Sequence, residues 1–239
     1  MITGGLGRYH GLMRPALTHP WELAPARARA LQLELRDRVE SEDRLDAVRT
    51  IAGVDVAYEQ GGDRLFAAAV VLDAESLKPV SEATYEGRAR LPYAPGLLSF
   101  REIPAVAACL ERLAIQPDLV VCDGQGRAHP RRFGLACHLG VLFDVPAIGC
   151  GKTWLCGQYE QPAAQRGAFA PLVDGDEVIG EVVRTRDDTR PVYVSIGHRI
   201  SLATARAWIL RLTPRYRLPE TTRAADQRVG ALRRAALGR

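Results

Sequence analysis

The spacing of apolar positions changes several times along the chain, and each change marks an element. From Pro25 to Arg49 apolar residues recur at helical spacing, with Leu31, Leu35 and Val39 on one stripe, so the segment predicts an amphipathic helix. At Thr50 the period shortens. Thr50–Tyr58, Phe66–Asp73 and Val80–Leu91 read as three strands, and Gln60-Gly61-Gly62-Asp63 turns the first pair of an antiparallel meander. Leu91-Pro92-Tyr93-Ala94-Pro95-Gly96 can be neither helix nor central strand, because two prolines and a glycine break both. The pattern then alternates: a helix from about Leu98 to Ile115, a strand at Leu119–Cys122, a helix from about Arg131 to Phe143 and a short strand at Pro146–Cys150. Val178–Thr185 and Pro191–Ser195 read as a hairpin, Ser201–Leu212 as a helix capped by Ser201, and the basic tail from Pro219 to Arg239 as helical. Residues 1–20 lack any period and are expected to be a loosely ordered extension, with 21–239 forming a single domain. His10 and His19, both in that extension, are expected to have no role.

Three antiparallel strands followed by helix, strand, helix, strand predict an α/β protein with a mixed central sheet flanked by helices. That order is the one of the ribonuclease-H-like fold. The strand Leu119–Cys122 organises the prediction, because it ends abruptly on Asp123 within a glycine-rich turn. Open α/β sheets build their sites at such carboxyl ends.

Composition adds bounds. A chain of 239 residues, 47% hydrophobic, can bury a full core. It has no run of 18 apolar residues, so no membrane span or membrane partner is expected, and Met1–Ala30 has no apolar core of signal-peptide length. Cys109, Cys122, Cys137, Cys150 and Cys156 form no C-x-x-C pair, which predicts reduced, mostly buried thiols in a cytoplasmic protein. A net charge of +4 permits a nucleic-acid partner without requiring one. Lys152 gains some weight because Lys78 is the only other lysine in an arginine-rich chain, which suggests a place that wants a compact ammonium.

Three acids occupy odd positions. Asp55 interrupts the apolar strand Ile51-Ala52-Gly53-Val54-Asp55-Val56-Ala57, where a charge costs several kcal/mol unless paired or bound to a cation. Asp123 ends its strand, and Glu102 lies in the opening turns of a helix. Taken singly, each has an ordinary explanation: a salt-bridged Asp, an Asx turn, an acid favoured by a helix dipole. Together they could hold two hard divalent cations for phosphodiester hydrolysis. His129-Pro130-Arg131-Arg132 is expected to open a helix and offer N–H groups and guanidinium groups to phosphate. His129 could position or deprotonate a water, Lys152 could neutralise a phosphate oxygen, and Tyr93, held between prolines, suits a wedge between stacked bases. No Ser-His-Asp order, Walker loop or H-E-x-x-H helix competes.

Two long blocks carry a resemblance. Pro92-Tyr93-Ala94-Pro95-Gly96-Leu97-Leu98-Ser99-Phe100-Arg101-Glu102 and Asp123-Gly124-Gln125-Gly126-Arg127-Ala128-His129-Pro130-Arg131-Arg132 resemble the signature blocks of the endonuclease V (deoxyinosine 3′ endonuclease) family. Ala52-Gly53-Val54-Asp55, Ile148-Gly149-Cys150-Gly151-Lys152 and Gly197-His198-Arg199 fit the same family in order, and coverage runs from about residue 28 to 228. The resemblance implies a Mg2+-dependent DNA repair endonuclease, with Mn2+ as a substitute. It would act on DNA containing deoxyinosine and hydrolyse the second phosphodiester bond 3′ to the altered base, leaving a 3′-hydroxyl and a 5′-phosphate. Asp55, Glu102 and Asp123 match the metal carboxylates, Lys152 the catalytic lysine, His129 the active-site histidine and Tyr93 the strand-separating wedge. Pro92 and Pro95 flank that wedge, Gly96, Leu98, Gly124, Gly126, Leu135 and Gly149 fall on segments enclosing the extruded base, and Arg131 is placed with them in substrate binding. The departures are Ala94, where the family commonly has Ile, Thr222 within Pro219-Glu220-Thr221-Thr222-Arg223, where Pro-Glu-Pro-Thr-Arg is usual, and Asp226, where some relatives carry an active-site His. Asp226 is retained as a fourth candidate oxygen ligand. A monomer is expected; inosine-containing single-stranded RNA is the alternative substrate, and a non-catalytic binder of altered nucleic acid the remote one.

Overall fold

The computed structural model describes residues 12–89, 91–92 and 94–238. Eight strands form one mixed sheet in the order β3-β2-β1-β4-β5-β8-β7-β6. The meander is β1 (Thr50–Tyr58), β2 (Arg64–Asp73) and β3 (Pro79–Arg88), each pair antiparallel. Beside it β4 (Leu119–Cys122) and β5 (Ala147–Gly151) run parallel to β1, which gives the ribonuclease-H-like arrangement. The parallel section ends there. β8 (Val192–His198) is antiparallel to β5 and to β7 (Glu177–Val183), and β6 (Phe169–Asp174) completes the sheet. Sequence patterning misses β6 because Pro171 lies inside it. A strand at the end of the sheet has a free side, so it tolerates a residue without an N–H.

Helices cover both faces of the meander, and β2 records this in its alternation. Leu65, Ala67, Ala69 and Val71 pack with Ile103, Val106 and Leu110 of α2 (Leu98–Leu110). Phe66 and Ala68 face Val229, and Val70 and Leu72 face Ala225, both on α5 (Glu220–Ala236). A strand buried on both sides reads as a continuous apolar run, and β2 does. Toward the other half of the sheet, α3 (Leu135–Phe143) joins α2 on one face, while α4 (Leu202–Arg211) sets Ala205 and Ile209 against Val121, Ile148 and Val194 on the other. Cys109, Cys122, Cys137 and Cys150 are buried in this core, and all five thiols are free. Among the described residues no helix is long and apolar enough to cross a membrane.

Three helix boundaries differ from expectation. The first helix, α1, spans only Pro25–Leu35, followed by a 3-10 turn at Arg36–Arg38. Beyond it the chain gives its polar groups to distant partners: Arg199 donates to the Glu40 carbonyl, and Asp43 accepts from the Ser201 N–H (2.7 Å) and the Thr204 hydroxyl (2.7 Å) at the start of α4. These tertiary bonds outcompete helical continuation. Helix α2 stops at Leu110 rather than near Ile115: Arg112 and Leu113 donate to the carbonyls three residues back, at 3.0 and 3.3 Å, so the chain leaves the helix in tightened turns. Helix α3 starts at Leu135, not Arg131, because Arg132 adopts φ +56° and the Gly134 N–H is committed to the Gly126 carbonyl (3.0 Å). The extension also differs where it is described. Met13 is buried, the Ala16 N–H donates to the Leu142 carbonyl (2.8 Å), and His19 packs on Trp21 and His138, so residues 12–20 are docked rather than loose.

Candidate active site

The site begins with strand register. Val54 opposite Cys122 is the last pairing of β1 with β4, so Asp55 and Asp123 are the next residues along two parallel neighbours, at the same end of the sheet. Cys122 in turn pairs with Gly149, which sets Lys152 three residues further along beside Asp123. The Lys152 ammonium and the Asp123 carboxylate form an ion pair. Asp226 arrives from α5, which can cross β1 only because residue 53 is glycine. A Cβ there would lie 2.0 Å from the Thr221 carbonyl oxygen. Glu102 enters from the early turns of α2 and accepts a hydrogen bond from the Tyr58 hydroxyl (3.3 Å), while the Arg101 guanidinium lies over the Tyr58 ring at 4.4 Å. Asp55, Tyr58, Glu102, Asp123, Lys152 and Asp226 line one cleft of about 790 Å³.

The electrostatics show what the cleft lacks. Burial, then the charge of Asp123, push the Asp55 carboxyl up to about 7. Burial and the neighbouring Asp55 push Glu102 up to about 8. Asp123 is also raised, by burial and by Asp226, although Lys152 opposes this. Burial alone would lower Lys152, but its hydrogen bond to Asp123 and the charges of Asp55 and Asp226 raise it. One ammonium thus faces four acids. Asp55, Glu102 and Asp123 are half-buried and repel one another, while Asp226 is exposed at the cleft edge, and a hard cation with oxygen preference is the natural complement of the group. Among the described residues no three His, Cys, Asp or Glu side chains are gathered closely enough to hold a metal ion as they stand. The donor chemistry nevertheless fits Mg2+, which takes one or two carboxylates and fills its other positions with water and phosphate oxygens.

His129 also lines the cleft, with both ring nitrogens engaged: Nε2 lies 3.2 Å from the Gly96 carbonyl, and Nδ1 accepts from the Arg131 N–H at 3.2 Å. Burial and the Arg131 charge push it down to about 4, so the ring is neutral. In this arrangement the neutral imidazole spends both ring nitrogens on the protein, one on the Gly96 carbonyl and one on the Arg131 amide. Arg131 and Gln32 converge on the same Gly96 oxygen at 2.7 and 3.1 Å, and Arg131 Nε donates to Gln32 Oε1 at 2.6 Å. Gly96 sits at φ +73°, where a Cβ would lie 2.5 Å from the Arg131 guanidinium, so both its backbone and its surroundings call for glycine.

Of the residues singled out from sequence, the cleft gathers Asp55, Glu102, Asp123, Lys152, Asp226 and His129, together with Gly96, Leu98, Gly124 and Leu135. Gly126 and Gly149 stand behind it. Their absent side chains make room for protein backbone, since a Cβ on Gly126 would lie 2.0 Å from the Ile196 oxygen and one on Gly149 2.3 Å from the Gly126 nitrogen. Pro92 and Pro95 are exposed and do not line the cleft. Tyr93 lies outside the described residues. Arg132 is no phosphate donor in this arrangement, because it pairs with Asp174 (2.9 Å) and Glu177 (2.6 Å). Sequence reasoning misses Tyr58, Gln32 and Gln125. Gln32 carries the one legible signal: an amide on a stripe of buried apolar residues has to find buried partners.

The sequence matches the family model described as Endonuclease V over residues 33–227. A curated Endonuclease V of Streptomyces coelicolor is 54% identical over 219 residues, covering 91% of this chain and 92% of that one. The crystal structure of an endonuclease V from Streptomyces avermitilis superposes with a TM-score of 0.86 at 48% identity, covering 95% of this chain and all of that one. The Ciona intestinalis endonuclease V, solved in complex with a 24mer DNA containing an inosine followed by a ribo-adenosine, gives a TM-score of 0.76 at 26% identity, over 88% of this chain and 98% of that one.

Proposed function

Since the chain belongs to the endonuclease V family, we propose that it is a DNA repair endonuclease that recognises deoxyinosine and hydrolyses the second phosphodiester bond 3′ to it. The observation that carries this reading is the meeting of Asp55, Glu102, Asp123 and Asp226 with a single ammonium, Lys152, in one cleft. The inosine-containing DNA bound by the Ciona relative supports the choice of substrate.

Asp55, Glu102, Asp123 and Asp226 would hold Mg2+ or Mn2+. Such a cation supplies a water of lowered pKa and polarises a phosphate oxygen. In hydrolysis the water oxygen joins phosphorus and the P–O3′ bond breaks, leaving the 3′-hydroxyl and 5′-phosphate. Lys152, now neutralising Asp123, is placed to turn its ammonium to a phosphate oxygen as charge builds there. Gly96, Leu98, Gly124 and Leu135 form the apolar, closely approachable wall suited to an extruded base. His129 and Arg131 fix that wall through the Gly96 carbonyl.

The test is incubation with Mg2+ and a labelled duplex bearing one deoxyinosine, alongside an inosine-containing RNA strand. A single nick at the second bond 3′ to the altered base is expected, and Asp123→Ala should abolish it while retaining binding. A folded preparation that cuts neither substrate would end the proposal, and one that cuts only RNA would replace deoxyinosine by inosine RNA.

A further inference from the structure

The loop after Lys152 has a feature the reaction does not use. Trp154 and Leu155 line the cleft yet remain 55% and 43% exposed. An indole standing in water forgoes much of the stabilisation that burial would give it. Its exposure is not due to slackness in the loop. The indole N–H donates to the Gly157 carbonyl at 2.9 Å, and Gly157 turns the chain at φ +83° against the Val173 carbonyl. At the other end the Thr153 carbonyl accepts from Gln125 Nε2 at 3.1 Å, which ties the loop to the turn that carries Asp123. The ring is therefore pre-positioned, and its only polar atom is already satisfied. What it offers the cleft is an aromatic face.

We propose that Trp154 is a stacking platform for the nucleobase next to the scissile phosphate, and so a positioning residue for the strand being cut. This rests on the proposed function above. A flat π surface with no hydrogen-bonding demand matches the face of a nucleobase, which every nucleotide presents whatever its sequence. The Cα atoms of Lys152 and Trp154 are at most about 7 Å apart and both side chains line the same cleft, which sets the indole on the rim beside the place where Lys152 would meet the phosphate. It is distinct from the wall of Gly96, Gly124 and Leu135 assigned to the altered base. Leu155 extends the same apolar rim.

The experiment uses a single-stranded oligonucleotide with one deoxyinosine and the fluorescent base 2-aminopurine at the first or second nucleotide 3′ to it, in EDTA so that no cleavage intervenes. Wild-type protein should quench the 2-aminopurine at one of these positions. Trp154→Tyr should keep the quenching. Trp154→Leu should lose it and weaken binding about tenfold, within the range a single base–aromatic stack provides. Melting temperatures should agree between the variants, since the side chain is exposed. With Mg2+ added, the Trp154→Leu loss should fall on KM more than on kcat. Unchanged quenching and affinity in Trp154→Leu, while the wild type still binds and nicks, would overturn the platform alone. Failure of the wild type to nick both this strand and the deoxyinosine duplex with Mg2+ would overturn it together with the function on which it rests.

Discussion

Replacing Gly53 by alanine adds one methyl group to β1, and the structure gives it nowhere to go. The new Cβ would lie 2.0 Å from the Thr221 oxygen, 2.2 Å from its carbon and 2.8 Å from the Thr222 nitrogen. All three are backbone atoms, so no rotamer change relieves the overlap. Restoring ordinary contact at 3.4 Å requires α5 to retreat by about 1.4 Å, which lifts Ala225 and Val229 off Phe66, Ala68, Val70 and Leu72. Overpacking of this kind costs about 1–3 kcal/mol, and the loosened helix contact places the loss at the upper end. In a chain of this size each kcal/mol moves the melting temperature by about 2–4 °C, so a drop of roughly 6–12 °C is expected. Activity should suffer more than stability does, because Asp226 travels with α5, and a misplacement of about 1 Å at a reacting centre can cost on the order of 100-fold. Thermal unfolding by circular dichroism and initial nicking rates at a temperature where the variant is folded measure both effects. Gly230→Ala is the contrast on the same helix. Its new Cβ would meet only the Arg234 guanidinium, at 3.3 Å, and losing a mid-helix glycine should stabilise by about 0.5–1 kcal/mol. A Gly53→Ala melting temperature within about 2 °C of wild type would refute the close crossing of α5 over β1.

Two further changes probe the charges. Asp55, raised from 3.8 to about 7 in the folded chain, keeps a proton that the unfolded chain has released; its contribution to stability is full below pH 4 and lost as pH rises through 7. The shift of about 3 units corresponds to about 4 kcal/mol, so without metal Asp55→Asn should gain stability over wild type by up to that amount between pH 5 and 8.5, while losing activity. Parallel unfolding curves across that range would contradict the assignment. His129, held near 4, should contribute no limb to the pH–rate profile around 6.5; a limb there that vanishes in His129→Gln would show the imidazole moving protons after all.

The meander and the two parallel strands are legible in sequence because each is a contiguous apolar run bounded by turn residues, and burial on both faces preserves that signal in β2 and β4. Asp55 and Asp123 stand out for the same reason, as charges where an apolar period demands otherwise. What pattern cannot see is decided by partners far along the chain. The segment after Leu35 leaves its helix because Asp43 and Glu40 serve α4 and Arg199, more than 150 residues later. His19 packs on His138 through contacts that no local period encodes. The glycines show both sides of this. Gly96 lines the cleft with its α-carbon against the Arg131 side chain, whereas Gly126 and Gly149 lie behind it against backbone, a distinction carried only by tertiary structure. The neutral state of His129 likewise depends on the Gly96 carbonyl and on its burial, not on its place beside two arginines in the sequence.

Pro171, which hides β6 from a pattern search, has a consequence for the protein in company. A terminal strand normally presents a row of unpaired amides and carbonyls on which a second chain can assemble. Here the Val173 amide and carbonyl are already bonded to Gln158, at 2.8 and 2.7 Å, and two residues away Pro171 has no amide to offer. At the opposite margin β3 carries Glu82, Glu86 and Arg88, charges that an incoming strand would have to strip of water. Both margins of the sheet thereby carry features that work against growth by strand addition. Crowded copies of the chain thus meet a poorer template for fibrous association, even with Phe169 and Val178 exposed nearby.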